Sequence, residues 1–188
     1  MESQSLMERL NTGWHRPVLV AFLAMVLAHL MEHAFQAVQI FLFGWARSES
    51  RGLAGEWFPW LVTSEWLHYI YAILTLAGLI VLLPGFVGRA RLFWVVAIGT
   101  QFWHHFEHLL LLVQRLTEDP WFGERVPTSV VQLLVMRVEL HLFYNAVVMV
   151  PIVIAAGYHF FPTDAERLQA RCACAVRRLS ALATGAAG

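Results

Sequence analysis

Apolar residues run along this chain in four long blocks, residues 17–43, 60–83, 92–113 and 129–161, with polar and charged residues gathered between them. Each block supplies the ~20 residues that a helix needs to cross about 30 Å of hydrocarbon. The last block exceeds that length, so its end is expected to project into the interface. Residues 1–16 are polar, with no small-residue cleavage site after a short apolar core, and the first block is too long for a signal peptide, so it reads as a retained span. The pattern predicts an all-α integral membrane protein. Its parts are an N-terminal segment (1–16), a four-transmembrane-helix bundle (17–163) and a tail (164–188). Composition agrees: only 14% of residues are charged and 59% are hydrophobic, whereas a soluble domain carries roughly 25% charged residues.

Polar residues inside these blocks carry the chemical information. His29, Glu32 and His33 in the first block, and His104, Glu107 and His108 in the third, both read H-x-x-E-H, 75 residues apart. Ionisable side chains within membrane spans are costly and mark functional sites. The same shift maps Gln39 onto Gln114, and a shift of 73 maps His68 and Tyr71 onto His141 and Tyr144. Glu65 and Glu139 precede these histidines at offsets that differ by one. A duplicated helical hairpin explains the matches, with halves of about 17–83 and 92–161 forming a parallel 2+2 repeat. At about 1.5 Å per residue, the histidines of all four blocks fall at similar heights in the outer half of the bilayer.

Residues i, i+3 and i+4 share a helical face, so each H-x-x-E-H cluster presents its three side chains together, and Glu65 and His68 form an E-x-x-H pair. Four-helix carboxylate proteins build dinuclear metal centres from such pairs and further glutamates. The predicted metal ligands are His29, Glu32, His33, Glu65, His68, His104, Glu107, His108 and His141. The set suits a transition metal, two ions of iron, copper or zinc, with haem as the alternative. Arg137, His141, Tyr144 and Asn145 share one face of the fourth block. Arg137 needs a carboxylate or an anionic substrate, because an unpaired buried charge is costly, and Arg137 and Tyr144 are the candidate catalytic residues. Glu139 lies about 200° around the helix from His141 and is expected to neutralise a cation on a neighbouring helix. The roles of His105 (ligand, outer sphere or packing) and of Tyr71 stay open, and His15 and His159, near the membrane boundaries, are expected to be uninvolved.

The chain has no lysine. Eight arginines fall in the segments before the first block, between the second and third, and after the fourth, against four on the opposite side. The bias places both termini in the cytoplasm and the protein in the plasma (inner) membrane. Cys172 and Cys174 then lie in a reducing compartment, where a disulfide is not expected, and the C-x-C pair reads as incidental. The tail is expected to form an amphipathic helix over 165–183 and then a disordered Gly/Ala end. No long basic run suggests nucleic acid. The aromatic-rich outer loops, 44–59 and 116–127, read as an interfacial belt or a lid.

Spaced H-x-x-x-H, His29 and His33 resemble the histidine boxes of membrane di-iron desaturases and hydroxylases. The resemblance implies a metal centre that uses dioxygen on a hydrophobic substrate. It is confined to the box, since those families carry their histidines at the cytoplasmic helix ends. The expected function is an oxidoreductase, oxygenase- or hydroxylase-like, acting on a lipid, quinone or other hydrophobic small molecule, with membrane lipid as surroundings. The chain is expected to work as a homo-oligomer or as a subunit of a membrane complex. The alternatives are a haem-bearing electron carrier and a metal-ion or proton transporter, the latter opposed by the apolar stretches 18–28 and 92–99, which offer no continuous polar path inward.

Overall fold

The computed structural model describes residues 5–175. Among them the chain forms eight α-helices and no strand: α1 (Leu6–Leu10), α2 (His15–Ala37), α3 (Gly52–Trp57), α4 (Trp60–Thr63), α5 (Glu65–Leu82), α6 (Gly88–Thr117), α7 (Arg137–Phe160) and α8 (Asp164–Gln169). A π-helical turn, Val38–Leu42, prolongs α2. Three helices are long and apolar enough to cross a membrane: His15–Leu42, Glu65–Gly85 and Arg137–Phe160. The expected third span is also one helix, α6, of 30 residues. Gln101, His104, His105, Glu107, His108 and Gln114 dilute its apolar content, and it is not among those three.

The long helices pack in a ring: α5 on α6, α6 on α7, α7 on α2 and α2 on α5. Large apolar side chains such as Leu27, Leu74, Val95, Phe102 and Val153 face outward, each about half exposed or more, a surface that calls for a covering apolar phase or partner. α1, α8 and the α5–α6 turn occupy one end, here the terminal end; the segments 43–64 and 118–136 occupy the other, the loop end.

Three boundaries differ from the pattern of apolar blocks. The fourth block opens at residue 129, but α7 begins at Arg137, because 129–136 turn back across the bundle around a 3₁₀ turn, Val131–Leu133. The second block breaks at Ser64, whose backbone is extended and whose hydroxyl accepts the Leu67 N–H at 3.3 Å to cap α5. In the tail, helix α8 stops at Gln169, with Ala170 extended, so the expected amphipathic helix is six residues long where it can be followed; residues 176–188 lie outside the described residues.

The apolar core fills the half of the ring nearest the terminal end. Leu19, Phe22, Leu79, Phe86, Trp94 and Ile152 are its buried members. Trp94 is fully enclosed, stacks on Phe86 with ring centroids 4.0 Å apart, and donates its indole N–H to the Leu79 carbonyl at 2.7 Å. Replacing Trp94 by Ala is expected to cost about 3–5 kcal/mol, read as earlier unfolding in detergent with added SDS, while Trp94→Phe loses only part of this.

α8 is fastened to this end by Glu166. Its carboxylate accepts from Arg89 Nε and Nη2, both at 2.9 Å, and closes a capping box with Thr163. The Arg89 guanidinium first, then the Thr163 amide, hold the Glu166 carboxyl well below the usual carboxylate range. A depressed folded value contributes stability above the unfolded pKa and loses it as pH falls through the folded one. The melting-temperature gap between wild type and Glu166→Gln is therefore expected at full size at neutral pH, shrinking only below about pH 4.3.

Candidate metal centre

Six of the nine predicted ligand residues lie on α2 and α6, where the i, i+3, i+4 spacing carries them to the inner face of the ring near the loop end, and the three others, Glu65, His68 and His141, lie in the first turns of α5 and α7. His104, His108 and His141 come closest: their ligand nitrogens all lie within 4.8 Å of one another, and all three are buried. His104 and His108 face each other Nε2 to Nε2 at 3.0 Å. On α2, His29 and His33 make the same contact at 3.2 Å. Two nitrogens bound about 2.0–2.1 Å from one ion stand about 2.9–3.4 Å apart for octahedral to tetrahedral angles, so both pairs already have ligand spacing. His68 and His141 bring the pairs together. Ring centroids lie 5.6 Å apart for His33 and His141, 5.8 Å for His68 and His108, and 5.9 Å for His68 and His141.

The remaining nitrogens show how the rings are oriented. His141 Nδ1 donates to the Arg137 carbonyl at 2.7 Å and His68 Nδ1 to the Ser64 carbonyl at 2.8 Å, each four residues back in its own helix. His33 Nδ1 donates to Gln36 Oε1 at 2.7 Å. A histidine fixed through one N–H offers the lone pair of the other nitrogen, the arrangement of a metal-binding imidazole and its supporting acceptor. His141 Nε2 and His108 Nδ1 are buried without any hydrogen-bond partner, a state that needs a specific explanation. Two tyrosines flank the cluster. Tyr71 stacks on His29 at 3.7 Å, and Tyr144 on His104 at 4.8 Å, with the Tyr144 hydroxyl accepting the Trp103 indole N–H at 2.7 Å.

The glutamates differ from expectation. Glu32, Glu65 and Glu107 are expected among the ligands, but in the structure each carboxylate is turned to another partner. Glu32 accepts the Gly55 N–H at 2.9 Å and Glu107 the Val131 N–H at 3.3 Å. Gly55 belongs to the first turn of α3 and Val131 opens the 3₁₀ turn, so the two carboxylates hold the starts of short helical turns at the loop end. Gly52 lies against Glu32 with φ +77°, and a Cβ there would sit 2.5 Å from Glu32 Oε1, so only glycine suits this position. Gln39 and Gln114 serve the same segments: their side-chain oxygens accept from Gly52 N at 2.8 Å and Thr128 N at 3.1 Å. Glu65 pairs with Arg137 at 2.6 Å, and Glu139 with Arg47 at 2.6 Å. Arg137 thus has its carboxylate within the protein. His105 packs beside Tyr69, away from the other rings. Trp57 and Phe58 of the outer loops are more than half exposed, and it is loop backbone that lies over Glu32 and Glu107.

Two adjoining cavities reach the cluster. One, of about 300 Å³, runs from His29, His33 and His68 past Tyr71 to Ile70 and Leu74 on the outer apolar surface. The other, of about 330 Å³, is lined by His33, His68, His141, Glu65 and Arg137. They share His33, Gln36, Val62 and His68.

A second group of ligand-type side chains stands at the terminal end: His15, His159, Cys172 and Cys174, again within 4.8 Å of one another. The two histidines, expected to be uninvolved, and the two cysteines, read as incidental, thus stand together in one group. The signal in the sequence was positional, because both histidines close the same end of the bundle and the C-x-C follows directly, but no spacing rule links residues 15 and 172.

If Arg137 serves to neutralise Glu65, Arg137→Ala is expected to destabilise the protein by about 1–3 kcal/mol through the unpaired carboxylate, and Arg137→Ala/Glu65→Ala to recover most of that loss in the same melting assay.

The chain matches no protein-family model, no curated protein and no solved structure, so what this histidine-rich centre does is argued from its own geometry.

Proposed function

We propose that the chain is an integral membrane metalloprotein with four spans, α6 included, whose six clustered histidines, five of them buried and His29 partly so, bind a pair of transition-metal ions in an oxidoreductase centre for a hydrophobic molecule. The observation that carries this reading is the convergence of His104, His108 and His141 within 4.8 Å, with His141 Nε2 buried and unpartnered. Apolar helix exteriors and a polar interior are what a bilayer selects, and the arginine bias favours cytoplasmic termini.

A duplicated hairpin accounts for the pairs of matching contacts. His29 with Tyr71 corresponds to His104 with Tyr144, Glu32 and Gln39 to Glu107 and Gln114 in holding outer backbone, and the Nδ1 anchors of His68 and His141 to each other. Each half then offers one three-histidine set: His29, His33 and His68, or His104, His108 and His141. The halves are not identical, since Gln36 occupies His33 Nδ1 while His108 Nδ1 is without a partner.

With the carboxylates engaged elsewhere, the donor set is imidazole, which suits copper, zinc or iron and argues against a manganese or carboxylate-bridged centre. Bound metal would exchange electrons with, or polarise, a molecule brought to it. This chain's part is to hold the rings through their Nδ1 anchors, to exclude bulk water with the backbone over Glu32 and Glu107, and to admit an apolar molecule along the Ile70–Leu74 side. Arg137, with Glu65, borders the second cavity and would position a polar head group. Haem ranks lower because imidazole pairs 3.0 and 3.2 Å apart and stacked tyrosines leave no flat slot. Transport ranks lower because the apolar core closes the path toward the terminal end.

Metal analysis of the detergent-purified chain tests this, with Cys172→Ser/Cys174→Ser introduced so that only the histidine centre is counted. About two ions per chain are expected, falling by at least half in His108→Ala and His141→Ala and unchanged in Glu32→Gln and Glu107→Gln. Metal content indifferent to the histidines, or lost equally with the glutamates, contradicts the assignment. A spectrum that does not change between reduced and air-oxidised protein removes the redox part of it.

A further inference from the structure

His15 opens α2, His159 lies one residue from the end of α7, and Cys172 and Cys174 follow α8; all are buried except Cys172, which is half-buried. Their ligand atoms lie within 4.8 Å of one another. His15 Nδ1 stands 3.3 Å from Cys174 Sγ, and His159 Nε2 3.4 Å from Cys172 Sγ. Around a tetrahedral zinc ion, with bonds of about 2.0–2.1 Å to nitrogen and 2.3 Å to sulfur, neighbouring ligand atoms are separated by about 3.3–3.8 Å. Both cross-pairs fall within or at the edge of that range. Both thiols are free.

The surroundings orient the ligands. His15 Nε2 donates to the Leu82 carbonyl at 3.3 Å, which leaves the Nδ1 lone pair facing Cys174. The Gly85 Cα lies against the same ring, so that any Cβ at that position would run into it. Phe86 covers both imidazoles, with centroids 5.4 Å from His15 and 4.5 Å from His159. The adjoining cavity is only about 10 Å³, too small for a substrate. A closed set of two thiolates and two imidazoles is the donor set of a structural zinc site, whereas catalytic zinc keeps a position open.

We infer that His15, His159, Cys172 and Cys174 bind one zinc ion that staples the C-terminal segment to the first turn of α2 and the last turn of α7. The site is separate from the histidine centre: along α2 alone, His15 and His29 are about 21 Å apart, with the Trp94 core between. It tethers the segment after α8 at a second point beyond the Arg89–Glu166 pair, and so closes the terminal end of the ring.

Cobalt(II) titration of the full-length, metal-free, thiol-reduced protein in detergent tests the inference, because only this site can give a thiolate-to-cobalt charge-transfer band. The band is expected to correspond at saturation to one thiolate-bound cobalt per chain, to persist in His108→Ala/His141→Ala, and to be displaced by zinc. It is expected to disappear in Cys172→Ser/Cys174→Ser and in His15→Ala/His159→Ala. Since those variants could fail by misfolding, wild-type protein supplies an independent measurement: zinc is expected to slow alkylation of the two thiols about tenfold or more, because coordination engages the sulfur lone pairs that would attack the reagent. A reduced wild type that gives no thiolate band, or thiols alkylated equally fast with and without zinc, overturns the inference.

Discussion

An imidazole enclosed among apolar helices needs a partner at each ring nitrogen, and this requirement organises the loop-end half of the molecule. Helix carbonyls one turn back satisfy Nδ1 of His68 and His141, and the Gln36 amide oxygen satisfies that of His33. Once those bonds are made, the other nitrogens point toward one another across the ring of helices. Six rings on four helices then converge where lipid-facing helices would otherwise meet through leucine and valine. Removing water from such a place raises the cost of every unpaired nitrogen, a cost that the proposed cation would offset.

The same constraint assigns the carboxylates their work. Short helical turns and connecting backbone at the loop end present amides inward, and Glu32, Glu107, Gln39 and Gln114 reach out from α2, its π-helical extension and α6 to accept them. The acids thus shape the covering segments and leave the histidines as the inner layer. In the other half of the ring, Trp94, Phe86, Phe22 and Leu79 form a packed apolar plug. One end of the bundle is therefore built for polar chemistry, and the other for packing and, with His15 and Cys174, for fastening the tail.

Much of this was legible in the sequence, for definable reasons. Helix positions follow from apolar runs, and the faces of α2 and α6 follow from 3.6-residue periodicity, so the grouping of His29 with His33 and of His104 with His108 could be read directly. The partnering of carboxylates could not. Whether Glu32 points at an ion or at Gly55 depends on the backbone path of the segment 43–59, which carries little periodic signal. The start of α7 was misplaced because residues 129–136 are apolar yet turn across the bundle instead of entering it. The His15–His159–Cys172–Cys174 group was missed because its members meet only through tertiary packing, with 159 residues between His15 and Cys174.

Metal-edge X-ray absorption on Cys172→Ser/Cys174→Ser protein bears most directly on the central claim, because it reports the ligands of the proposed histidine centre alone. The account predicts a nitrogen-dominated shell at about 2.0–2.1 Å with the multiple-scattering pattern of imidazole. A shell without imidazole scattering, or protein with no metal to excite, would contradict it.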